Sequence, residues 1–432
     1  MTKTGWLALP ALMAFIAYAP VLKLGFLAED HAAIEVNPQL RGWTAEHLRH
    51  DWTHDVLNIP QEHYYRPLLT VLNRVRFSLW ELRPLGYRVS GLALHAACAT
   101  LGALLILELT GSLAIGVLTG CLFAVHPIGV HTQLVVMAQE EPLSFLLSLL
   151  ALLWGRREGP LPLAGMVGAY ALALFAKESA VVVPWLLALL LWVERRPRAT
   201  YVRPAILIAL TVPYLYLRAY ATGPIPLPLT PRLAFILLGK VFPTLWWLYL
   251  KLLVWPAGLH YPCLMPAHAP FWALALATWL GLGVYAARLS RLAFAGWAWF
   301  TLWLAPHLPS IMTLDSMMNH WAYPGSLAFF TALAWGLHRG RRRFALTGAF
   351  VALPLAVWTG FTWATIADSA TDVQFHARTL RYEPTLDYAQ ANLGYALLHA
   401  GRPAEARLYL LLYLKTHPAD AQARRALAAI GG

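Results

Sequence analysis

Residues 88–127 read RVSGLALHAACATLGALLILELTGSLAIGVLTGCLFAVHP, two apolar runs (88–109 and 112–127) set back to back, with Glu108 as their one acidic residue. At 1.5 Å per residue, a run of about 20 apolar residues crosses the roughly 30 Å of hydrocarbon in a bilayer. Similar runs recur near 6–27, 141–155, 161–177, 179–193, 202–220, 271–287, 293–308, 322–338 and 342–363. The shorter ones reach that length when their flanks extend them. An all-α polytopic membrane protein with about 11 transmembrane helices is therefore expected. Apolar residues make up 59% of the 432 positions and charged residues 12%, so the bilayer is the main solvent along nearly the whole chain.

The 19 Trp and 18 Tyr fit the aromatic enrichment of membrane interfaces, and the net charge of +12 reads as loop charge that orients the spans. Nucleic acid is not an expected partner; membrane lipid is. Arg156 and Arg157, Arg195 with Arg196 and Arg198, Arg288 and Arg291, and Arg339 with Arg341 to Arg343 all fall on one side, which the positive-inside bias makes cytoplasmic. The run at 6–27 lacks a small-residue cleavage site and reads as a retained anchor with its amino terminus inside. Residues 233–254 are apolar but carry Lys240, Pro243 and Lys251. Counting them as a span would put the later basic loops on the wrong side, so a re-entrant or interface-lying helix on the outer face is expected, with a twelfth span as the alternative. Cys98, Cys121 and Cys263 have no CxxC spacing, so neither a disulfide framework nor a structural zinc is expected.

Polar residues gather in three places on the expected outer side. The loop 28–85 holds eight of the 21 acidic residues: Glu29, Asp30, Glu35, Glu46, Asp51, Asp55, Glu62 and Glu81. Glu29 and Asp30 follow the first span directly, and repulsion between adjacent carboxylates would raise one pKa and make a proton acceptor. A hydrated helix end is the plainer reading of the pair alone. Further on, His47, His50, Asp51 and His54 share one helix face and are candidate ligands for a divalent metal. An amphipathic helix with Trp43, Leu48 and Trp52 in the membrane surface is the preferred reading, and no cofactor is required. Tyr64, Tyr65, Arg66 and Pro67 come next, and an interfacial arginine suits forked hydrogen bonds to a lipid phosphate. The second place is His126, Pro127, His131, Gln139, Glu140 and Glu141; the third is Lys177 with Glu178, joined by Arg218. Lys177 and Glu178 have simple mutual pairing as their alternative.

From residue 364 onward no membrane-length run remains. Leu393, Gly394, Gly401, Ala406, Leu410 and Pro418 match tetratricopeptide offsets, and Pro384 precedes Pro418 by 34 residues, one repeat period. Residues 364–432 thus read as one repeat with half-repeat flanks, either packed on the membrane domain (1–363) or binding a peptide or protein partner.

In motif order from about residue 20 to 430, the chain resembles the GT-C glycosyltransferases, and within them the transmembrane and tetratricopeptide-repeat O-mannosyltransferases. The stretches that carry the resemblance are LAEDHAAIEVNPQL, YYRPLLTVLNR, FAVHPIGVHTQLVVMAQEEPLS, LFAKES and LPSIMTLDSMMNHWAYPGS. It implies inverting transfer of a sugar from a polyprenyl-phosphate-linked donor to a hydroxyl of a protein, glycan or lipid on the outer face. It also implies a bacterial inner membrane, or an endoplasmic reticulum membrane in a eukaryote, with the carboxyl terminus periplasmic or lumenal. By position Glu29 inherits the general-base role, with Asp30 supporting or replacing it. Arg66 inherits a donor-phosphate role, which Lys177, Arg218 and His320 would share. Tyr65, His126, Glu141 and Glu178 would support the site. Glu29 stands where the family usually has aspartate, Gln139 where a basic residue is common, and Asn319 and His320 where an acid and an arginine are usual. Two readings from other classes are a transporter or flippase of a lipid-linked substrate, for which Glu108 is an isolated inner acid, and a membrane scaffold that uses its tail.

Overall fold

The computed structural model describes residues 3–56, 64–223, 230–265, 271–314, 316–344 and 349–431, and among them each apolar run of the sequence forms helix. Glu62 lies outside the described residues. The stretch 88–127 shows how local chemistry sets the turns. Pro84 opens Pro84–Thr110 at a position where its missing N–H costs nothing. Gly111 closes it with φ 67°, and the Ser112 hydroxyl then caps Leu113–Val125 by accepting from the Ile115 N–H at 3.4 Å. The two helices pack with backbones touching: a Cβ on Gly116 or Gly120 would sit 2.6 or 2.8 Å from the carbonyl of Ala103 or Ala99.

The second helix ends at His126-Pro127 and bends by 50° into Pro127–Leu134. A proline breaks the hydrogen-bond ladder and frees carbonyls that lipid cannot satisfy. Side chains from distant helices take them. His95 Nε2 reaches the Ala124 carbonyl at 3.0 Å, the Thr362 hydroxyl donates to that of Val125 at 2.9 Å, and the Tyr18 hydroxyl to that of His126 at 2.7 Å. His126 itself is fully buried; its Nδ1 accepts from the Ile128 N–H and its Nε2 pairs with the Leu253 carbonyl, each at 3.1 Å. One neutral tautomer makes both bonds, so His126 holds the break rather than supporting chemistry in the site. His126→Ala strands both partners and should lower stability by about 1–3 kcal/mol, read as a lower melting temperature of the purified protein in detergent.

Among the described residues four helices are individually long and apolar enough to cross a membrane: Pro84–Thr110, Arg198–Thr222, Pro231–Val254 and Trp272–Leu289. The bent pair makes a fifth, and shorter apolar helices such as Pro160–Ala176 and Ala352–Ala367 fill the bundle. One end of the bundle is tied by arginine. Arg156 binds Glu108 at 2.9 Å and Glu194 at 2.7 Å, Arg157 binds Glu108 at 3.1 Å, and Arg291 donates to the Trp192 carbonyl at 3.1 Å. Glu108, isolated in sequence, is therefore the anchor of this cluster.

Residues 231–254 do not form a re-entrant hairpin; they run as one helix of 24 residues. Its length and hydropathy would allow a crossing. Lys240 sits over Trp272 at 5.0 Å, Phe242 packs on Trp279 at 5.5 Å and Trp246 on Phe300 at 5.4 Å, the Tyr249 hydroxyl donates to the Met318 carbonyl at 2.7 Å, and the Leu253 carbonyl meets His126.

Among the described residues the only sheet is a two-residue antiparallel pair, Cys263 opposite Met317, on the same end as the bend. The tail begins with Asp372–Tyr382, which lies directly on the bundle's loops. Arg378 Nε donates to the Leu259 carbonyl at 2.7 Å, the Thr379 hydroxyl to the Tyr261 carbonyl at 2.6 Å, and Glu383 accepts from the Leu264 N–H at 3.2 Å. Asp387–His399 and Pro403–Thr416 follow as a helical pair around buried Leu393, Leu397 and Ala406.

Candidate active site

Glu29 and Asp30 are neighbours in sequence with different surroundings. Ala28 adopts φ 52°, a left-handed turn held by its N–H donating to Asp372 Oδ1 at 2.8 Å. Beyond the turn, Asp30 is fully buried and accepts from the Val136, Met137 and Leu27 N–H groups at 3.0, 2.9 and 3.3 Å, with Arg88 at 3.9 Å. Burial pushes its carboxyl above the ordinary range against the pull of Arg88 and those N–H groups. Asp30 is a linchpin between the first loop and the segment after the bend, and it is not placed to take a proton from an entering hydroxyl.

Glu29 instead turns toward two phenols. Its Oε1 accepts from the Tyr261 hydroxyl at 3.3 Å and from the Tyr388 hydroxyl at 3.5 Å. Tyr261 stacks on His131 with centroids 3.9 Å apart, and His131 stacks on His320 at 4.7 Å. Burial drives the Tyr261 phenol well above its ordinary value, and the charges of Glu29 and Glu140 add to the shift. Glu29 and the acidic start of Glu140–Gly155 therefore lie within electrostatic reach of one ring.

Glu140 belongs to a cluster of cations and carboxylates. Arg66 binds Glu178 at 3.0 Å and Glu140 at 3.2 Å, and its guanidinium stands 4.3 Å above the Tyr64 ring. Lys177 binds Glu141 at 2.5 Å and Glu140 at 3.3 Å, almost entirely out of solvent. The alternative of a mutual Lys177–Glu178 pair gives way to these longer-range partners. Arg218 lies within electrostatic reach of Glu178. Formally the cluster balances, with Arg66, Lys177 and Arg218 against Glu140, Glu141 and Glu178. It is a built, low-dielectric ion network in which an added phosphate must displace a carboxylate contact.

Two residues have surroundings other than those expected, and a third braces a loop. His320 is buried and stacks on His131, and burial together with neighbouring His131 and Lys177 drives its pKa well below the ordinary imidazole value. Tyr65 is buried with its hydroxyl on the Trp52 carbonyl at 3.0 Å; the ring that meets Arg66 belongs to Tyr64. Asn319 braces the loop that carries Tyr261, donating to the His260 carbonyl at 2.6 Å and accepting from Cys263 Sγ at 3.3 Å.

The proposed metal ligands do not converge. Asp51 is buried against Arg74 at 2.6 Å, His50 and His54 stack face to face at 4.2 Å, and His54 Nδ1 pairs with the Thr53 hydroxyl at 2.8 Å. Among the described residues no group of three His, Cys, Asp or Glu is placed to hold a metal ion. Trp52 packs on Phe175 at 4.8 Å while staying 39% exposed, so Ala45–Thr53 is an amphipathic helix pinned to the bundle by Arg74.

The tail is clasped to the first loop beside Glu29. His31 Nε2 pairs with Asp372 Oδ2 at 2.8 Å and its Nδ1 with Glu35 Oε2 at 2.5 Å. The hydrogen bond that His31 donates to Asp372 does most to raise His31 to about 9, while His31 and the Ala28 N–H hold Asp372 below its ordinary value. A raised histidine contributes its full stabilisation below its unfolded pKa near 6.5 and loses it as pH climbs through 9. The depressed Asp372 contributes above its ordinary value of 3.8 and loses that as pH falls further. Docking of the tail should therefore be tightest from about pH 4 to 6.5 and loosen toward pH 9, by no more than about 1 kcal/mol because the pair is partly solvated. Hydrogen exchange of residues 372–382 against pH checks this; flat protection from pH 6 to 9 would refute it.

No protein-family model matches the chain. It is 33% identical over 181 residues to "Protein O-mannosyl-transferase Tmtc1" of Drosophila melanogaster, a match covering 39% of this chain and 20% of the fly protein. It is 31% identical over 173 residues to "Protein O-mannosyl-transferase TMTC3" of Homo sapiens, covering 37% of this chain and 18% of the human one. The matched part is thus about a fifth of the length of these curated relatives. Among solved structures, apo ArnT from Cupriavidus metallidurans aligns over 96% of this chain and 76% of its own, with a TM-score of 0.47 and 14% identity. Over about two fifths of its length the chain is thus similar to the O-mannosyltransferases, and its described helices include four that are long and apolar enough to cross a membrane.

Proposed function

We propose that this protein is an inverting glycosyltransferase that moves a sugar from a polyprenyl-phosphate donor to a hydroxyl acceptor, with Glu29 as general base. The observation that carries the reading is a carboxylate and a cation network within electrostatic reach of one ring, Tyr261. Glu29 accepts from two phenols, and Arg66 and Lys177 sit in a nearly dry network around Glu140 and Glu141. The relatives are protein O-mannosyltransferases, which supplies the acceptor class that we favour: a protein hydroxyl.

In this reading Glu29 takes the proton of the acceptor hydroxyl as its oxygen bonds to the anomeric carbon. The bond from that carbon to the phosphate oxygen breaks with its electron pair leaving on the phosphate. The phosphate gains a negative charge, and Arg66 and Lys177 are the groups placed to stabilise it in a water-poor site. The lipid tail stays in the bilayer, so its phosphate arrives at interfacial depth, while the acceptor comes from water. Because the arginine cluster marks the opposite end, the reading places that end in the cytoplasm and the site outside.

The test is reconstitution of the purified protein with a polyprenyl-phosphate-linked hexose carrying a labelled sugar. Release of polyprenyl phosphate with label on a threonine-containing peptide supports the reading. Movement of intact donor between leaflets without release would overturn it in favour of a flippase.

A further inference from the structure

Two buried arginines stand outside the proposed reaction, and their hydrogen bonds do not close. Arg76, 1% exposed on the helix Pro67–Trp80, donates from Nη1 to Asn73 Oδ1 at 2.9 Å, while its Nε and Nη2 meet no partner among the described residues. Arg88, near the start of Pro84–Thr110, gives Nη1 to the Gln133 and Leu134 carbonyls at 2.8 and 2.5 Å and Nη2 to that of Gly25; its Nε is likewise unpartnered. Both arginines lie within electrostatic reach of Asp30. Gln139 comes to the same region. A Cβ on Gly91, one turn beyond Tyr87, would fall 2.1 Å from Gln139 Nε2, so the amide lies against that helix, and neither of its polar atoms has a partner. Asn73 Nδ2 reaches Met137 Sδ at 3.4 Å, which ties the Arg76 side of Pro67–Trp80 to the segment that carries Gln139. Two cations thus share one carboxylate, and Asp30 already accepts from three backbone N–H groups. The next arginine, Arg74, has its own counter-ion in Asp51. Burial pushes the Arg76 guanidinium down to about 10, because Asp30 and the Tyr87 phenol do not offset it. A buried cation without a counter-charge is strongly destabilising. Water would satisfy the unpartnered N–H groups but not the charge.

We propose that a small monovalent anion, chloride where it is available, binds between Pro67–Trp80 and the start of Pro84–Thr110, held by the Nε and Nη2 groups of Arg76 with Arg88 Nε and the Gln139 amide as the further donors of the cluster. Guanidinium N–H groups make charge-assisted bonds to anions, the stronger kind in a dry setting. One negative charge brings the two arginines and Asp30 to balance. A phosphate dianion overshoots that balance, and a lipid phosphate would need a way in past Asn73, Arg76, Arg88 and Gln139, none more than 2% exposed. The site is separate from the donor-phosphate cations, since Arg66 precedes Pro67–Trp80 and lies about 15 Å from Arg76 along the helix axis. Its effect is to seat that helix on the bundle.

The experiment follows thermal unfolding of the full chain in lipid nanodiscs at constant ionic strength, with sodium gluconate replaced stepwise by sodium chloride or sodium bromide. The melting temperature of the wild type rises saturably with either halide, by about 3–5 °C at a hundredfold excess over Kd, and sulfate at equal ionic strength gives no such rise. Arg76→Met abolishes the halide response and, freed of an uncompensated buried charge, melts in gluconate at or above the wild type. Binding is read independently of stability from the chlorine NMR line of the buffer, which the wild type broadens and added bromide narrows by competition. Gln139→Leu keeps both arginines and needs about fivefold more chloride for the same broadening, the scale of one lost hydrogen bond. A wild type that neither responds to halide in its melting nor broadens the chloride line overturns the proposal. So does an Arg76→Met variant with the wild-type halide response, because the halide then acts at other arginines.

Discussion

Glu29→Gln should reduce sugar transfer by about a thousandfold, within the roughly 10²–10⁴ that a positioned general base contributes, with expression and melting temperature close to wild type. The amide keeps the shape and accepts the Tyr261 and Tyr388 hydroxyls through its oxygen, but it cannot take a proton. Asp30→Asn should behave differently. Its side chain is buried under three backbone N–H donors and Arg88, so an amide there turns an N–H₂ toward donors and leaves Arg88 without its counter-charge. That variant should lose about 3–5 kcal/mol of stability, and the fraction that folds should retain much of its activity per molecule. Transfer assays normalised to folded protein separate the two. Full activity of Glu29→Gln would remove Glu29 as the base, and equal per-molecule losses in both variants would mean that the pair acts as one unit.

The gathering of polar residues was legible in the sequence, but the separate surroundings of Glu29 and Asp30 were not. Adjacency of Glu29 and Asp30 suggested mutual repulsion. The left-handed turn at Ala28 gives them separate partners, and a turn at an alanine has no signature to read. Helices were legible because apolar runs of membrane length have few alternatives once backbone groups must be satisfied in lipid. His126 looked functional because it stands among polar residues at the end of an apolar run, in the HP stretch that carries the resemblance; the structure puts the Ile128 N–H and the Leu253 carbonyl on its two nitrogens. Tyr65 was preferred over Tyr64 because one residue of rotation decides which ring meets Arg66, and loop sequence carries no period to fix it. Tyr388 was beyond reach, since it lies 359 residues from Glu29 and meets it only through the docking of the tail. Glu140 stood in the quoted motif yet drew less notice than Glu141, although it alone is shared by Arg66 and Lys177.

That sharing makes Lys177 the position where structure and chemistry are hardest to separate, and a paired substitution separates them. Lys177 is 1% exposed and sits between Glu140 and Glu141, themselves 3% and 1% exposed. Lys177→Met removes one charge from a dry network and leaves two carboxylates facing each other, which should cost about 3–5 kcal/mol. Transfer should fall by on the order of 10²–10³, as when a group that stabilises transition-state charge is lost. Adding Glu141→Gln to Lys177→Met restores formal balance, since Arg66 and Arg218 then face Glu140 and Glu178. The double variant should regain most of the lost stability, because a neutral amide beside a methionine no longer carries an uncompensated buried charge. It should regain little transfer, because the cation that faces the departing phosphate is still missing. Thermal unfolding in detergent reads the first quantity, and label transfer per folded molecule reads the second. Recovery of both together would make Lys177 a purely structural counter-ion and leave Arg66 as the phosphate's partner. Recovery of stability alone assigns Lys177 to the reaction, with Glu141 as the group that holds it in place until the donor arrives.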